Sequence, residues 1–317
     1  MSIGRYALRR TLISIPVLLG ATAITFSFVH IAPGDPVDVL VGFDAVDDAT
    51  RDALRAEFGL DRPLWQQYLL WLADVLVLEF GESPITGREV GATIGDRLPA
   101  TLLLGLSAWV LSLSIGIPAG IFAATNQGEI EDEVGRIAAL AGIATPNFWL
   151  GLVLLFVFGV QLGWFRVTPP DASLLSLEML WFMVLPAITL GTAAAALVMR
   201  LMRASMRQEL RKEYVMAARA RGLSERTVVL KHALRNSLTA VVTVAGLQIA
   251  FLVDGAIVVE QVFSWPGMGL LLVESVGRRD LPVVQAIVLL IAVSVVVANL
   301  LVDIAYAVLD PRIRYDR

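Results

Sequence analysis

Residues 99–124 read PATLLLGLSAWVLSLSIGIPAGIFAA, a run of 26 residues without a charged side chain. A helix needs about 20 apolar residues to cross the hydrocarbon layer of a bilayer, so this run predicts a membrane-spanning helix. Five further stretches are also long and predominantly apolar: residues 11–31, 137–162, 179–202, 238–259 and 282–309. The sequence therefore predicts an all-α membrane protein with six transmembrane helices.

The composition supports the same class. Hydrophobic residues make up 57% of the 317 residues and charged residues 17%, against about 45–50% and about 25% in soluble domains. The mean hydropathy of +0.73 is that of a lipid-embedded chain. There is no cysteine and there are only two histidines, so we expect neither a metal site nor a cofactor. The net charge of −4 gives no reason to expect a nucleic-acid partner.

The distribution of Arg and Lys predicts the orientation. Of the 25 basic residues, 17 lie in segments 1–10, 125–136, 200–235 and 310–317. Basic residues are enriched in cytoplasmic loops, so both termini are predicted to be cytoplasmic. Segment 125–136 resists this assignment because it carries four acidic residues and a single Arg. Since acidic residues contribute little to the rule, the prediction stands.

The predicted domain organisation follows from these spans. Residues 1–98 would hold the first span and a large extracytoplasmic segment. Residues 99–309 would form the five-span core with a cytoplasmic segment at 203–236, and residues 310–317 a cytoplasmic tail. The extracytoplasmic segment contains 13 acidic residues and five Arg. Within it Trp65, Tyr68, Leu69 and Leu72 recur at helical spacing, which fits either a helix lying at the membrane interface or a small packed cap over the spans.

The most informative polar segment is 200–235, in particular EYVMAARARGLS at residues 213–224. Helical spacing places Tyr214, Ala217, Ala218 and Arg221 on one face, and the small alanines would let another protein's backbone approach closely. Gly222 can end the helix in a left-handed conformation, and a second helix can then begin after a Ser cap. That cap would be Ser224. A solvated basic linker between two spans would have a similar composition.

Several motifs in the order of the chain identify a family. They include HIAPGDP at 30–36, GLDRPL at 59–64, AARARGLS at 217–224, KHALRN at 231–236, VFSWPG at 262–267 and RD-PVVQ at 279–285. Together they resemble the first of the two inner-membrane permease subunits of dipeptide, oligopeptide and nickel-type ABC importers. The resemblance covers almost the whole chain. It departs at Met216, where the superfamily motif starts with Glu, and at Asp254, where small residues are usual.

The resemblance implies the type I ABC importer permease fold, in the plasma membrane. Such a permease pairs with a homologous second permease, two cytoplasmic ATPase subunits and an extracytoplasmic solute-binding protein. The coupling segment would consist of Tyr214, Ala217, Ala218, Arg219, Arg221, Gly222, Leu223 and Ser224. Asp254 and Glu260 are candidates for the translocation path. The solute itself is not implied, since dipeptides, longer peptides, nickel chelates and some oligosaccharides are moved by similar permeases.

The residues themselves predict that the chain is not an enzyme. A P-loop requires Gly-Lys, and the only two lysines, Lys212 and Lys231, do not follow a glycine. His30 and His232 are predicted at opposite sides of the membrane, which argues against an intramembrane hydrolase. A secondary transporter driven by an ion gradient is the alternative, because it would also be apolar and multi-span. Such transporters usually show inverted repeats, and we find no convincing internal repeat.

Overall fold

The computed structural model describes residues 3–31, 48–57 and 59–309. Across these ranges the backbone is helical apart from connecting turns, and the only β pairing in them is an isolated antiparallel bridge between Glu82 and Glu89. The prediction of an all-α chain is therefore confirmed for these residues. The tail predicted at 310–317 and residues 32–36 of the HIAPGDP motif lie outside them.

The described helices are numbered α1 to α13 in chain order. They are Ile3–Ile31, Asp48–Glu57, Leu64–Leu76, Val90–Thr125, Ile130–Ala144, Asn147–Leu154, Leu177–Phe182, Val184–Leu210, Glu213–Ala220, Glu225–Thr227, Leu234–Phe263, Met268–Arg278 and Leu281–Leu309. Two π-helical segments continue this pattern. Leu155–Gln161 extends α6, and Val228–Ala233 joins α10 to α11.

Four of the described helices are long and apolar enough to cross a membrane on their own. They are α4, α8, and the segments Leu8–Phe28 of α1 and Leu281–Leu300 of α13. The number rises to six if each of two bent helix pairs counts as one span. The structure therefore gives four to six candidate spans among the described residues. The second span, predicted at 99–124, lies in a helix that starts nine residues earlier, at Val90.

The predicted third span, 137–162, is not one straight helix. α5 ends at Ala144, and the helix that continues from Asn147 is bent from it by 104°. Pro146 causes this break, since proline lacks an N–H donor and disfavours helical backbone in the residue before it. Thr145 is accordingly extended, with φ −79° and ψ 122°. The apolar pattern does not reveal the bend because it continues across the break.

The described chain forms two compact units, one of residues 3–99 with 266–309 and one of residues 100–265. In the first unit α1 packs along α13, where Gln285 Nε2 donates a hydrogen bond to the Thr25 carbonyl at 3.2 Å. α3 packs on α1 through a 2.9 Å hydrogen bond between Tyr68 and Thr22. Its Trp65, on the other hand, is 66% exposed. The aromatic pattern thus serves packing on one side of α3 and leaves an apolar surface on the other.

The same unit explains one of the sequence motifs. Asp280, from the RD-PVVQ motif, directly precedes α13 and is buried. Its Oδ2 accepts a 2.5 Å hydrogen bond from the buried Ser83 hydroxyl. The bond fastens the turn that precedes α4 to the start of α13, which gives this Asp a structural reason to be present.

In the second unit α8 is the central helix and contacts α5, α6, α9 and α11. α4 also approaches it closely. A Cβ added at Gly116 would lie 2.7 Å from the Ala195 carbonyl oxygen, and one added at Gly120 would lie 2.7 Å from that of Met199. Small residues of this kind allow membrane helices to pack backbone to backbone. Any larger residue at these two glycines would force the helices apart.

The acidic segment that resists the orientation rule is partly neutralised by α8. Asp132, in the first turn of α5, is buried and accepts two hydrogen bonds from Arg203, at 2.5 and 2.7 Å. Arg207 donates a further bond to Gln127 at 3.1 Å. Basic residues of α8 therefore compensate acidic charge on the neighbouring loop, so the net charge of that loop alone is a poor guide to its side of the membrane.

Candidate functional site

The segment after α8 folds as helix, glycine turn and helix, as the sequence predicts. α9 ends at Ala220, and Gly222 follows with φ +75°. The Gly222 N–H bonds to the Arg219 carbonyl at 2.9 Å, and the Leu223 N–H bonds to the Ala218 carbonyl at 3.4 Å. These two bonds define the Schellman motif, in which a glycine satisfies the last carbonyls of a helix. The predicted left-handed role of Gly222 is confirmed.

α10 begins directly after Ser224, whose backbone is extended with φ −60° and ψ 144°. This is the usual conformation of an N-cap residue. Its side chain, however, accepts no bond from the helix backbone and instead pairs with the Thr227 hydroxyl at 2.9 Å. The predicted position of the cap is therefore right and its predicted side-chain hydrogen bond is absent.

An ion pair bridges the turn. Arg219 donates from Nε and Nη2 to the two carboxylate oxygens of Glu225, at 3.0 and 2.5 Å. The pair lowers the pKa of Glu225 and raises the pKa of Arg219, because each charge is stabilised by the other. Both side chains are exposed, so the pair adds at most about 1 kcal/mol of stability. Arg219 is thus engaged within the chain.

The inward side of α9 packs against the helix that follows the turn. Val215 and Ala218 are buried with Val228, and Leu210 packs against them. This arrangement corrects one part of the sequence interpretation. Helical spacing alone assigns Ala218 to the partner-facing surface, but the residue is only 5% exposed and contacts the chain's own helices. The spacing of Val215 and Ala218, three residues apart, indicates this inward face.

Hydrogen bonds fix α9 to two long helices. Tyr214 donates from its hydroxyl to Glu209 Oε2, near the end of α8, at 2.7 Å, and accepts from Asn236 Nδ2, near the start of α11, at 3.0 Å. Lys212 Nζ donates to the other Glu209 oxygen at 2.6 Å. Burial and the bond to Glu209 raise the pKa of Tyr214, so it stays a neutral donor. Sequence reasoning missed this network, although the Glu209–Lys212 spacing is typical of a helical ion pair.

The outward side of α9 and its turn is free to meet another protein. Ala217, Arg221, Gly222 and Ser224 are exposed. Met216 and Leu223 are 53% and 40% exposed. Arg221 forms no ion pair within the described part of the chain. The surface therefore combines this positive charge with two large apolar side chains, and the buried Val215 and the hydrogen bonds of Tyr214 fix its geometry.

The two residues predicted for the translocation path lie in different surroundings. Glu260, near the end of α11, is completely buried, and its Oε1 accepts a 2.7 Å hydrogen bond from the Thr101 hydroxyl. Its backbone carbonyl accepts from the N–H of Trp265, whose indole nitrogen bonds to the Ala100 carbonyl at 3.0 Å. Glu260 thus lies in the interior of the second unit. Asp254 belongs to α11, but its side chain lies outside those that the structure describes.

Comparison with known proteins identifies the family. Residues 116–315 match the model of the binding-protein-dependent transport system inner membrane component. Residues 3–105 match the N-terminal model of the same class of membrane component. Both matched segments contain long apolar helices, and the first also contains the α9 turn. The chain belongs to this family.

Full-length relatives agree with this assignment. The chain is 41% identical over 314 residues to the oligopeptide transport system permease protein AppB of Bacillus subtilis, covering 98% of this chain and 99% of that protein. It is 38% identical over 337 residues to the dipeptide permease DppB of Escherichia coli K12, covering 99% of both. It is 41% identical over 311 residues to the E. coli K12 glutathione permease GsiC, covering 98% and 99%.

These findings establish the general function. The protein is a multi-pass permease component of an ATP-driven importer in the plasma membrane, and it is not itself an enzyme. ATP is hydrolysed by separate subunits of such systems. The α9 turn, the network behind it and the long apolar helices can therefore be interpreted as parts of a transport machine.

Proposed function

We propose that the chain crosses the membrane six times with both termini in the cytoplasm, and that α9 with its turn is the coupling helix that docks on an ATPase subunit. The division into residues 1–98, 99–309 and 310–317 belongs to the same proposal. A second, homologous permease would complete the path. A second ATPase and an extracytoplasmic solute-binding protein would complete the importer. The large segment between the first and second spans would then be extracytoplasmic.

One observation carries the proposal for α9. The helix exposes Ala217 and Arg221, packs inward through Val215, and is bonded to both α8 and α11 through Tyr214, which is itself 37% exposed. A force applied by a docked ATPase would therefore reach two long apolar helices directly. A solvated linker would need neither the buried contact of Val215 nor these bonds.

The substrate class we propose is peptides. The relatives named above are permeases for oligopeptides, dipeptides and glutathione, which is itself a short peptide. The three relatives are similarly identical to this chain, so the comparison favours peptides as a class and does not favour one peptide length. The solute-binding protein would select among peptides, and Asp254 and Glu260 are the residues we propose for the translocation path.

The test replaces Tyr214 by Phe, which keeps the ring and removes the hydroxyl. In proteoliposomes containing the complete importer we expect ATP hydrolysis to continue while peptide uptake per ATP falls by about tenfold, because a hydrogen bond to a charged group contributes about 1.5–3 kcal/mol. Tyr68→Phe is the matched control, since its hydroxyl bonds to Thr22 in the other unit. Unchanged uptake per ATP in Tyr214→Phe would refute the mechanical role of this network.

The same vesicles separate the proposal from its rival. Uptake should require ATP on the side of the ATPase subunits and should persist when proton and sodium gradients are collapsed. Uptake by this chain alone, driven by an ion gradient, would instead make it a secondary transporter.

A further inference from the structure

An apolar cleft of about 290 Å³ lies between α4, α5 and α8 in the second unit. Small residues form much of its wall, among them Gly116, Ala119 and Gly135. Thr192 contributes the only side-chain hydroxyl to the lining, and this group already donates to the Ile188 carbonyl at 2.6 Å. The cleft therefore offers no unpaired side-chain hydroxyl to a polar ligand, and an apolar chain is the occupant that its surface fits.

The length of the cleft matches one leaflet of a bilayer. On α8 the lining runs from Ile188 to Met199, and the eleven steps between these residues span about 16 Å at 1.5 Å per residue. Half of a hydrocarbon core of about 30 Å is about 15 Å. Ile115 and Ala138 are exposed at the rim, so the cleft is open to the surroundings of the helices.

A positive charge stands at one end of this cleft. Arg200 follows the lining residue Ala196 by four positions and therefore lies one turn beyond it on the same side of α8, at the edge of the cleft. It is exposed and forms no ion pair within the described residues. Arg203, one turn further along, is already paired with Asp132. Arg207 lies within about 20° of Arg200 around the helix axis, because it follows Arg200 by seven residues. Basic residues at the cytoplasmic end of membrane helices attract lipid phosphate groups.

We propose that this cleft is a phospholipid site, with one acyl chain between α4, α5 and α8 and the phosphate beside Arg200. The charge at the end of the cleft and the match in length favour a lipid over a helix of the second permease. The orientation proposed above places Arg200 at the cytoplasmic side, so the lipid belongs to the inner leaflet. A lipid bound there would fill the space between α8, which directly precedes α9, and its neighbours α4 and α5.

The first experiment counts phospholipids retained by the complete importer in mild detergent, by native mass spectrometry. Ala138→Phe, at the exposed rim, should fill the cleft and remove one phospholipid per permease. Ala141→Phe is the matched control, because it is exposed on the same helix but does not line the cleft. Equal lipid counts in Ala138→Phe and the unmodified complex would overturn the proposal.

The second experiment tests the phosphate contact with two probes that share their acyl chains. Arg200→Gln should weaken retention of dioleoylphosphatidylglycerol by about fivefold and leave dioleoylglycerol, which lacks the phosphate, unchanged. An equal effect on both probes would exclude a phosphate contact. Neither measurement depends on transport, so this site and the proposed coupling role can fail separately.

A cross-linking measurement covers the case in which Ala138→Phe does not assemble. The chain has no cysteine, so Ala138→Cys offers a unique thiol for a photoactivatable reagent. Within the assembled importer the reagent should capture phospholipid. Capture of the second permease at this position would show that a protein helix occupies the cleft and would refute the lipid site.

Discussion

Replacing Gly222 by Val tests the turn on which the coupling role depends. The backbone at this position has φ +75°, and an added Cβ would meet no heavy atom within 4 Å. The cost of the substitution is therefore conformational and not steric. A β-branched residue in this region costs on the order of 1–3 kcal/mol. The exposed Arg219–Glu225 pair contributes at most about 1 kcal/mol, so it cannot hold the turn against the upper part of that range.

The buried contacts of α9 limit the damage to the turn itself. Val215 and Ala218 remain packed against Val228, so the variant should insert and assemble normally. We expect peptide uptake per ATP to fall by about tenfold, which corresponds to roughly 1.4 kcal/mol, while basal ATP hydrolysis persists. The assay measures both rates in the same proteoliposomes. Gly222→Ala should give a value between those of the unmodified protein and Gly222→Val, since Ala lacks the β-branch.

The matched control is Gly128→Val. Gly128 also has a positive φ, +85°, and open space around its Cβ, but it lies in the turn between α4 and α5. It carries a comparable backbone strain at a position away from α9. Full uptake per ATP in Gly222→Val, or an equal loss in Gly128→Val, would refute the reasoning.

Four further outcomes are expected. Cysteines at positions 48 and 207 should react with impermeant reagents from opposite sides of the membrane, and labelling of both from outside would contradict the six-span orientation. Arg219→Glu should impair coupling by repelling Glu225, and the exchanged pair Arg219→Glu with Glu225→Arg should restore it; failure of the exchange would point to a partner contact. The bond from Arg219 lowers the pKa of Glu225 from its ordinary value of 4.5. The ion pair between the two should therefore persist at neutral pH and be lost only when the pH falls below 4.5. Cross-linking across the turn, measured without the ATPase subunits, would show this loss. Asp254→Asn should slow uptake of cationic peptides more than neutral ones if its charge contacts solute, whereas an equal effect would leave it a structural residue.

Much of the fold could be predicted because each long apolar run needs a hydrogen-bonded helix in lipid. The sharp bend at Pro146 could not, since the apolar pattern runs through it without interruption. The approach of α4 to α8 was missed for another reason. Gly116 and Gly120 have the spacing of a helix-packing motif, but sequence alone does not say which helix they meet.

At the candidate site, features set by neighbouring residues could be predicted from the sequence, and features set by tertiary contacts could not. The turn at Gly222 could be predicted because a glycine just past the last helical residue commonly adopts the left-handed conformation that ends a helix. The bonds from Tyr214 to Glu209 and Asn236 join residues five and 22 positions apart, and the second of these depends on the tertiary fold. The inward position of Ala218 likewise depends on Val228 folding back over α9 after the turn.

Cross-linking from neighbouring alanines of α9 tests the central claim most directly. Ala217 is exposed and Ala218 is buried, so a photoactivatable reagent on Ala217→Cys should reach whatever docks on the helix, while Ala218→Cys serves as the matched buried control. In the assembled importer we predict that Ala217→Cys captures an ATPase subunit and that Ala218→Cys captures little or none. Capture of the solute-binding protein, or no capture of the ATPase from Ala217→Cys in an actively transporting complex, would contradict the account.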